Sequence, residues 1–248
     1  MVTQSAIRSV SGGGWSAGPL VLLAGVVALS ACAPRRPEPP QPPPAAVPAE
    51  RGAALPAGAL QYVIDPDGSI VTIRVYRAGP LARLGHNHVI TSAAEAGTVW
   101  TNGELPGSGF EMRVPVASLV VDDPTARQAA GPDFPGEVPE DARAGTRSNM
   151  LRPEVLNAAV YPEIVVRADA LAGNWEAPVA AARMTLRDRT LEREVPVAIA
   201  RGPTEITARG SFRVLQSDFG ITPFSVAGGA IQVADGLDVT FEIRAVVR

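Results

Sequence analysis

Residues Gln61 to Arg248 predict an all-β domain: an antiparallel β-barrel closed on itself, with a short helical insertion. Three observations predict it. Apolar and polar residues alternate with a period of two in at least six segments, the pattern of strands with one buried and one wetted face. Such alternation belongs to antiparallel sheets, because parallel strands are covered on both faces and read as continuous apolar runs. Finally, many short strands joined by turns must stack or close. Closure removes unpaired edges, and Gly210 and Gly220 supply bend positions.

Taken in chain order, residues 1–31 are an address rather than a fold. Arg8 and the amino terminus give a weakly positive start, and the apolar run Leu20 to Leu29 is too short to span a bilayer. The run ends in Leu29-Ser30-Ala31-Cys32, small residues leading into the single cysteine of the chain. This resembles the lipobox of bacterial lipoproteins, in which the cysteine is acylated and becomes the first residue of the mature protein. The resemblance implies lipid attachment at Cys32. Ala33, in place of Asp, implies an outer-membrane address facing the periplasm. Residues 32–60 then form a tether with nine prolines after the cysteine, from Pro34 to Pro56. Proline locks φ and lacks a donor, so the tract is extended coil reaching ~3.1 Å per residue.

The strands follow in residues 61–248. Val71, Ile73 and Val75 alternate with Thr72, Arg74 and Tyr76; Phe110, Met112, Val114 and Val116 with Glu111, Arg113 and Pro115. Between Asp122 and Tyr161 the alternation stops. Pro124–Ala130 has the makings of a short helix, Gly131–Glu140 is turn-rich, and Thr146-Arg147-Ser148-Asn149 reads as a second helix start before Met150, Leu151, Val155 and Leu156. Those apolar positions are helically spaced and suit a segment lying across one end of the barrel. Alternation resumes at Ala182, Met184 and Leu186, then at Val195, Val197 and Ile199. It continues through Ile206, Ala208, Gly210, Phe212 and Val214, and closes with Val239, Phe241, Ile243, Ala245 and Val247.

Composition narrows the function classes. All 22 basic residues are arginine, so no lysine Schiff base or phosphate-loop lysine is available. One cysteine excludes an internal disulfide and any cysteine-cluster metal site. The net charge of −3 gives no general attraction to nucleic acid. Residues 61–248 contain no Gly-x-Ser-x-Gly elbow, and no residue is nominated as catalytic. Arg183, Arg187, Arg189 and Arg193 are expected on a solvated outer face, balanced by Glu192 and Glu194.

Several blocks together resemble the YceI-like lipid-binding family. They are Tyr62-Val63-Ile64-Asp65 with Ser69-Ile70-Val71; Ser148-Asn149-Met150-Leu151 through Val155-Leu156-Asn157-Ala158-Ala159-Val160-Tyr161-Pro162-Glu163-Ile164; Met184-Thr185-Leu186 to Val195-Pro196-Val197; Ser217-Asp218-Phe219-Gly220-Ile221; and Val239 to Val247. The resemblance implies an extended, lipocalin-like barrel of eight strands whose apolar lumen holds an isoprenoid-like lipid, a quinone or polyprenyl chain, and no other cofactor. The chain departs from the family at Arg187-Asp188-Arg189, where a glycine is common, and at Leu84-Gly85-His86-Asn87-His88-Val89. Its Asp122–Gly145 stretch is also long.

Both histidines fall in Gly85-His86-Asn87-His88. On a strand, residues two apart share a face, so the two imidazoles point together. Two imidazoles make half a metal site and need a third ligand, for which Asp65, Asp169 and Asp218 are the candidates. The alternatives are a hydrogen-bonded polar cluster at the barrel mouth, or contact with a ligand head group by His86, Asn87 and His88. For the whole domain, the readings that compete with lipid binding are a structural or protein-interaction barrel with a filled core and a metal-binding module.

Overall fold

The computed structural model describes residues 55–93 and 95–247. The signal segment, Cys32 and most of the tether lie outside the described residues.

The strands, in chain order, are β1 (Leu60–Ile64), β2 (Ile70–Ala78), β3 (His88–Ser92), β4 (Ala96–Thr101), β5 (Gly109–Pro115), β6 (Val120–Val121), β7 (Glu163–Ala168), β8 (Leu171–Asn174), β9 (Ala177–Leu186), β10 (Arg189–Arg201), β11 (Glu205–Leu215), β12 (Ser225–Val226) and β13 (Ile231–Val247). Every pairing is antiparallel. The ring runs β1-β4-β5-β7-β9-β10-β11-β13 and closes through β13 onto β1. It is therefore a closed eight-stranded antiparallel barrel.

Three of the eight staves are broken. β1 and β2 lie end to end along β13, with Ile64 opposite Ala245 and Ile70 opposite Glu242. β3 and β4 are likewise successive partners of that stave, and β5 and β6 of the next. Single-turn 3₁₀ helices at Pro66–Gly68 and Val116–Ser118 make two of the breaks. Polar groups buried around them replace the interrupted ladder: Ser69 Oγ donates to Arg244 O, and the Ser92 and Ser118 hydroxyls bond at 3.1 Å. Glu95, between β3 and β4, is fully buried, and burial raises the pKa of its carboxyl.

The alternating residues point inward as the sequence reading expects. Val71, Ile73, Val75, Phe110, Met112, Val114, Ile206, Phe212, Val239, Phe241 and Ile243 all face the barrel interior. Gly210 has a specific reason to be glycine, since a Cβ there would stand 2.5 Å from Phe241 Cζ. The β9–β10 hairpin turns on Arg187 and Asp188 alone. Arg187 takes φ 58°, the positive value that two-residue hairpins require at a central position and that glycine more often supplies.

Helix α1 (Pro124–Ala130) matches the sequence expectation. Asp123 caps it by accepting from the Ala126 N–H at 3.0 Å, with Pro124 in the first turn. Helix α2 (Glu140–Leu151) differs: it begins at Glu140, not near Thr146, and stops before Val155. Glu140 and Asp141 favour the helix N-terminus, whereas Pro153 forces Arg152 out of helical geometry, so the 3.6-residue spacing through Leu156 does not continue as helix. Met150, Val155 and Leu156 nevertheless pack on the core beneath that end of the barrel.

On the outer face, Arg183 pairs with Asp169. Asp169 also takes Arg167, which in turn reaches Glu111. Arginine's forked donors bridge two carboxylates across strands, and that geometry selects Asp169. Each such exposed pair contributes little to stability.

Candidate functional site

The inward faces enclose a cavity of about 450 Å³ that follows the barrel axis. On β13 alone the lining extends from Ile231 to Ala245. β13 bulges between Val233 and Leu237, where four of its residues oppose two of β2, so at ~3.3 Å per residue and a strand tilt of about 40° the remaining twelve steps project to roughly 30 Å. That length is comparable to the ~30 Å hydrocarbon thickness of a bilayer. Between its ends the lumen is lined mostly by Val, Ile, Leu, Met, Phe and Ala side chains, with Ser92 among them. Polar groups gather at the two ends: Tyr76, His86, His88 and Gln232 at one, and Thr101, Ser108 and Arg201 at the other. The Arg201 guanidinium lies 3.7 Å from the centroid of Trp175, a cation–π contact across that second end.

The end bearing the histidines is assembled from three segments. A turn at Gly79–Gly85 is tied to the base of β13 by the Leu81 N–H donating to Ala230 O. Gly79 sits at φ 90° with the Ala230 carbonyl so close that a Cβ would meet it at 2.7 Å. The chain then enters β3 at His88, while the 122–138 segment folds over the outside of β3. Tyr76 and Phe134 rings meet there at 5.7 Å.

His86 and His88 both line the cavity, with ring centroids 6.4 Å apart. His86 precedes the strand and is exposed, so it marks a mouth; His88 opens β3 and its side chain is 17% exposed. Asn87 points the other way and does not line the cavity. Its Oδ1 accepts from the Arg77 N–H, and its Nδ2 donates to Asp133 O. It ties the 131–138 loop to β2.

Behind His88 sits a residue that the sequence reading missed. His88 Nδ1 lies 2.6 Å from Asp122 Oδ2, and Asp122 is fully buried with a backbone φ of 52°. Asp122 Oδ1 accepts from the Val89 N–H at 2.9 Å and from Arg127 at 2.7 Å. Burial alone would raise the carboxyl's pKa. Hydrogen bonds from His88, Val89 and Arg127 outweigh that and hold it below the ordinary aspartate value. Arg127, 3% exposed, spends its remaining donors on the carbonyls of Asn87, Pro135 and Gly136. One available signal was the doubled acid in Asp122-Asp123-Pro124. A helix start needs one capping carboxylate, which Asp123 provides, leaving Asp122 unaccounted for.

The acids nominated from the sequence are committed elsewhere. Asp65 pairs with Arg244, Asp169 with Arg167 and Arg183, and Asp218 is exposed in the Gln216–Phe219 turn. Among the described residues no three His, Cys, Asp or Glu side chains are placed to hold a metal ion.

The fold and cavity define a closed antiparallel barrel with a long apolar lumen and a polar mouth. By sequence, residues 62–245 match the YceI-like domain, and the chain belongs to that family. No curated protein matches it by sequence. Among solved structures it is similar to BcnA from Burkholderia cenocepacia, at 15% identity and a TM-score of 0.54, covering 73% of this chain and 98% of that one. It is also similar to a polyisoprenoid-binding domain from Saccharophagus degradans implicated in plant cell wall breakdown. There the identity is 12% and the TM-score 0.50, over 76% of this chain and 99% of that one.

Proposed function

We propose that the protein is a lipid-anchored envelope protein that binds an amphiphile with an isoprenoid-like chain, a quinone or polyprenyl lipid. The chain lies in the lumen and the head group at the His86/His88 mouth. The observation that carries this reading is the lumen itself: narrow, about as long as a bilayer leaflet pair is thick, lined mostly by apolar side chains and with polar groups concentrated at its ends. A filled structural core would not leave that space. The Saccharophagus degradans domain of the same architecture, described as polyisoprenoid-binding, supports the ligand class. Acylation at Cys32 and an outer-membrane address facing the periplasm rest on the lipobox resemblance.

An isoprenoid tail already resides in lipid, so moving it into the barrel changes its apolar contacts little. Surface-area bookkeeping from water would overstate affinity. Selectivity then comes from lumen width and from the few polar groups at the mouth. Ala208 lines the cavity beside Ile243, its partner across β13, so Ala208→Trp places a large ring in the lumen without touching the mouth. The full-length protein purified from envelopes is expected to carry a polyprenyl lipid by mass spectrometry, and the folded Ala208→Trp variant to carry much less. Equal lipid content in both, or none in the wild type, would refute lumen binding.

A further inference from the structure

The arrangement behind His88 determines which hydrogen-bonding role its free nitrogen plays. Asp122 lies at the centre of three donors, with Oδ1 shared by Val89 and Arg127 and Oδ2 facing His88 Nδ1. A carboxylate can only accept, so Nδ1 carries a proton. Asp122 and Arg127 are both buried and already cancel in charge. In the neutral imidazole, the Asp122 contact therefore places the proton on Nδ1. In that tautomer Nε2 has a lone pair and no proton. It has no hydrogen-bond partner among the described residues, and His88 lines the cavity. Of the other polar side chains at this mouth, Asn87 is turned away, the Arg77 guanidinium donates to Gly85 O and the Tyr76 hydroxyl bonds to Asp238, while His86 and Gln232 can each turn to donate or accept; His88 has its role fixed by Asp122.

We propose that Asp122, braced by Arg127, holds His88 as an Nε2 acceptor, so that the barrel selects amphiphiles whose head group donates a hydrogen bond. A prenol or quinol hydroxyl satisfies this; an ether, or a carbonyl-only quinone, presents a second acceptor to the lone pair. His88 is the specificity-determining contact, and Asp122 and Arg127 are positioning residues. The inference rests on the lumen-binding reading above and names the head group that reading leaves open.

The test uses the full-length protein and two probes of one chain length, geranylgeraniol and geranylgeranyl methyl ether, which differ by the hydroxyl proton. Wild type is expected to bind the alcohol about ten-fold more tightly, the effect of leaving one desolvated acceptor unpaired. In His88→Gln the amide can turn to offer either a donor or an acceptor, and the preference is expected to fall to about two-fold or less. Nitrogen-15 spectra of the wild-type imidazole supply a readout that does not depend on the variant folding: Nδ1 should be protonated and Nε2 bare. In Asp122→Asn that tautomer preference should weaken. Equal binding of both probes, or a protonated Nε2 in the wild type, would overturn this inference while leaving chain binding intact. Failure of both probes to bind would overturn the lumen-binding reading and this inference with it.

Discussion

Replacing Asp122 by alanine removes the acceptor on which three donors converge. The structure sets the size of the effect. Arg127 is 3% exposed and, among the described residues, has its charge partner only in Asp122, so the substitution strands a buried guanidinium. Breaking a buried pair from one side typically costs about 3–5 kcal/mol. The Val89 N–H loses its acceptor as well, and position 122 keeps a left-handed backbone that alanine tolerates less readily than aspartate. For a domain of this size each kcal/mol shifts the melting temperature by about 2–4 °C. Asp122→Ala is therefore expected to melt about 10 °C or more below wild type by circular dichroism at neutral pH. Because folding depresses the Asp122 pKa, its contribution is complete above the unfolded carboxylate pKa and is lost as pH falls below that value through the folded one. The gap between variant and wild type should accordingly narrow in acid. A deficit under about 3 °C at neutral pH would refute the account of this cluster as a buried, coupled unit.

Glu95 carries the opposite sign. Its folded pKa is raised, so wild type loses stability as pH rises from the unfolded carboxyl value towards the folded one, and Glu95→Gln is expected to melt higher than wild type at neutral pH, with the difference vanishing in acid. A pH-independent difference in thermal melts would argue against that reading. Phe241 faces the lumen against Phe212, whereas Glu242 is on the outer face paired with Arg209; Phe241→Asp should give insoluble or strongly destabilised protein, and Glu242→Gln a melt within a few degrees of wild type. Similar melting of the two would contradict the inward assignment of β13. If Cys32 bears the anchor, Cys32→Ser should leave the membrane pellet after a high-salt wash, and retention there would refute acylation as the tether.

The barrel was legible in the sequence because a strand's inside and outside faces are written locally, every second residue. Phe110, Met112 and Val114, or Val239, Phe241 and Ile243, need no partner to declare which side is apolar, and enough such segments in series require closure. Helix α1 was legible for a similar reason, since its cap, proline and length lie within nine residues. The end of α2 was not, because apolar spacing continued past Pro153 while the backbone could not. The histidine pair was visible as a motif, but its chemistry depended on a contact 34 residues away along the chain. Asp122 meets His88 only because β6 pairs with β3 and the following segment folds back over it, and no local pattern encodes that pairing. Likewise Asn87 shares its tripeptide with two lumen residues yet faces outward, where Arg77 and Asp133 consume its amide. Periodicity is a short-range property that one chain segment can express alone. The donor and acceptor roles at the mouth are set by charges and hydrogen bonds between distant segments, and only the tertiary structure brings those together.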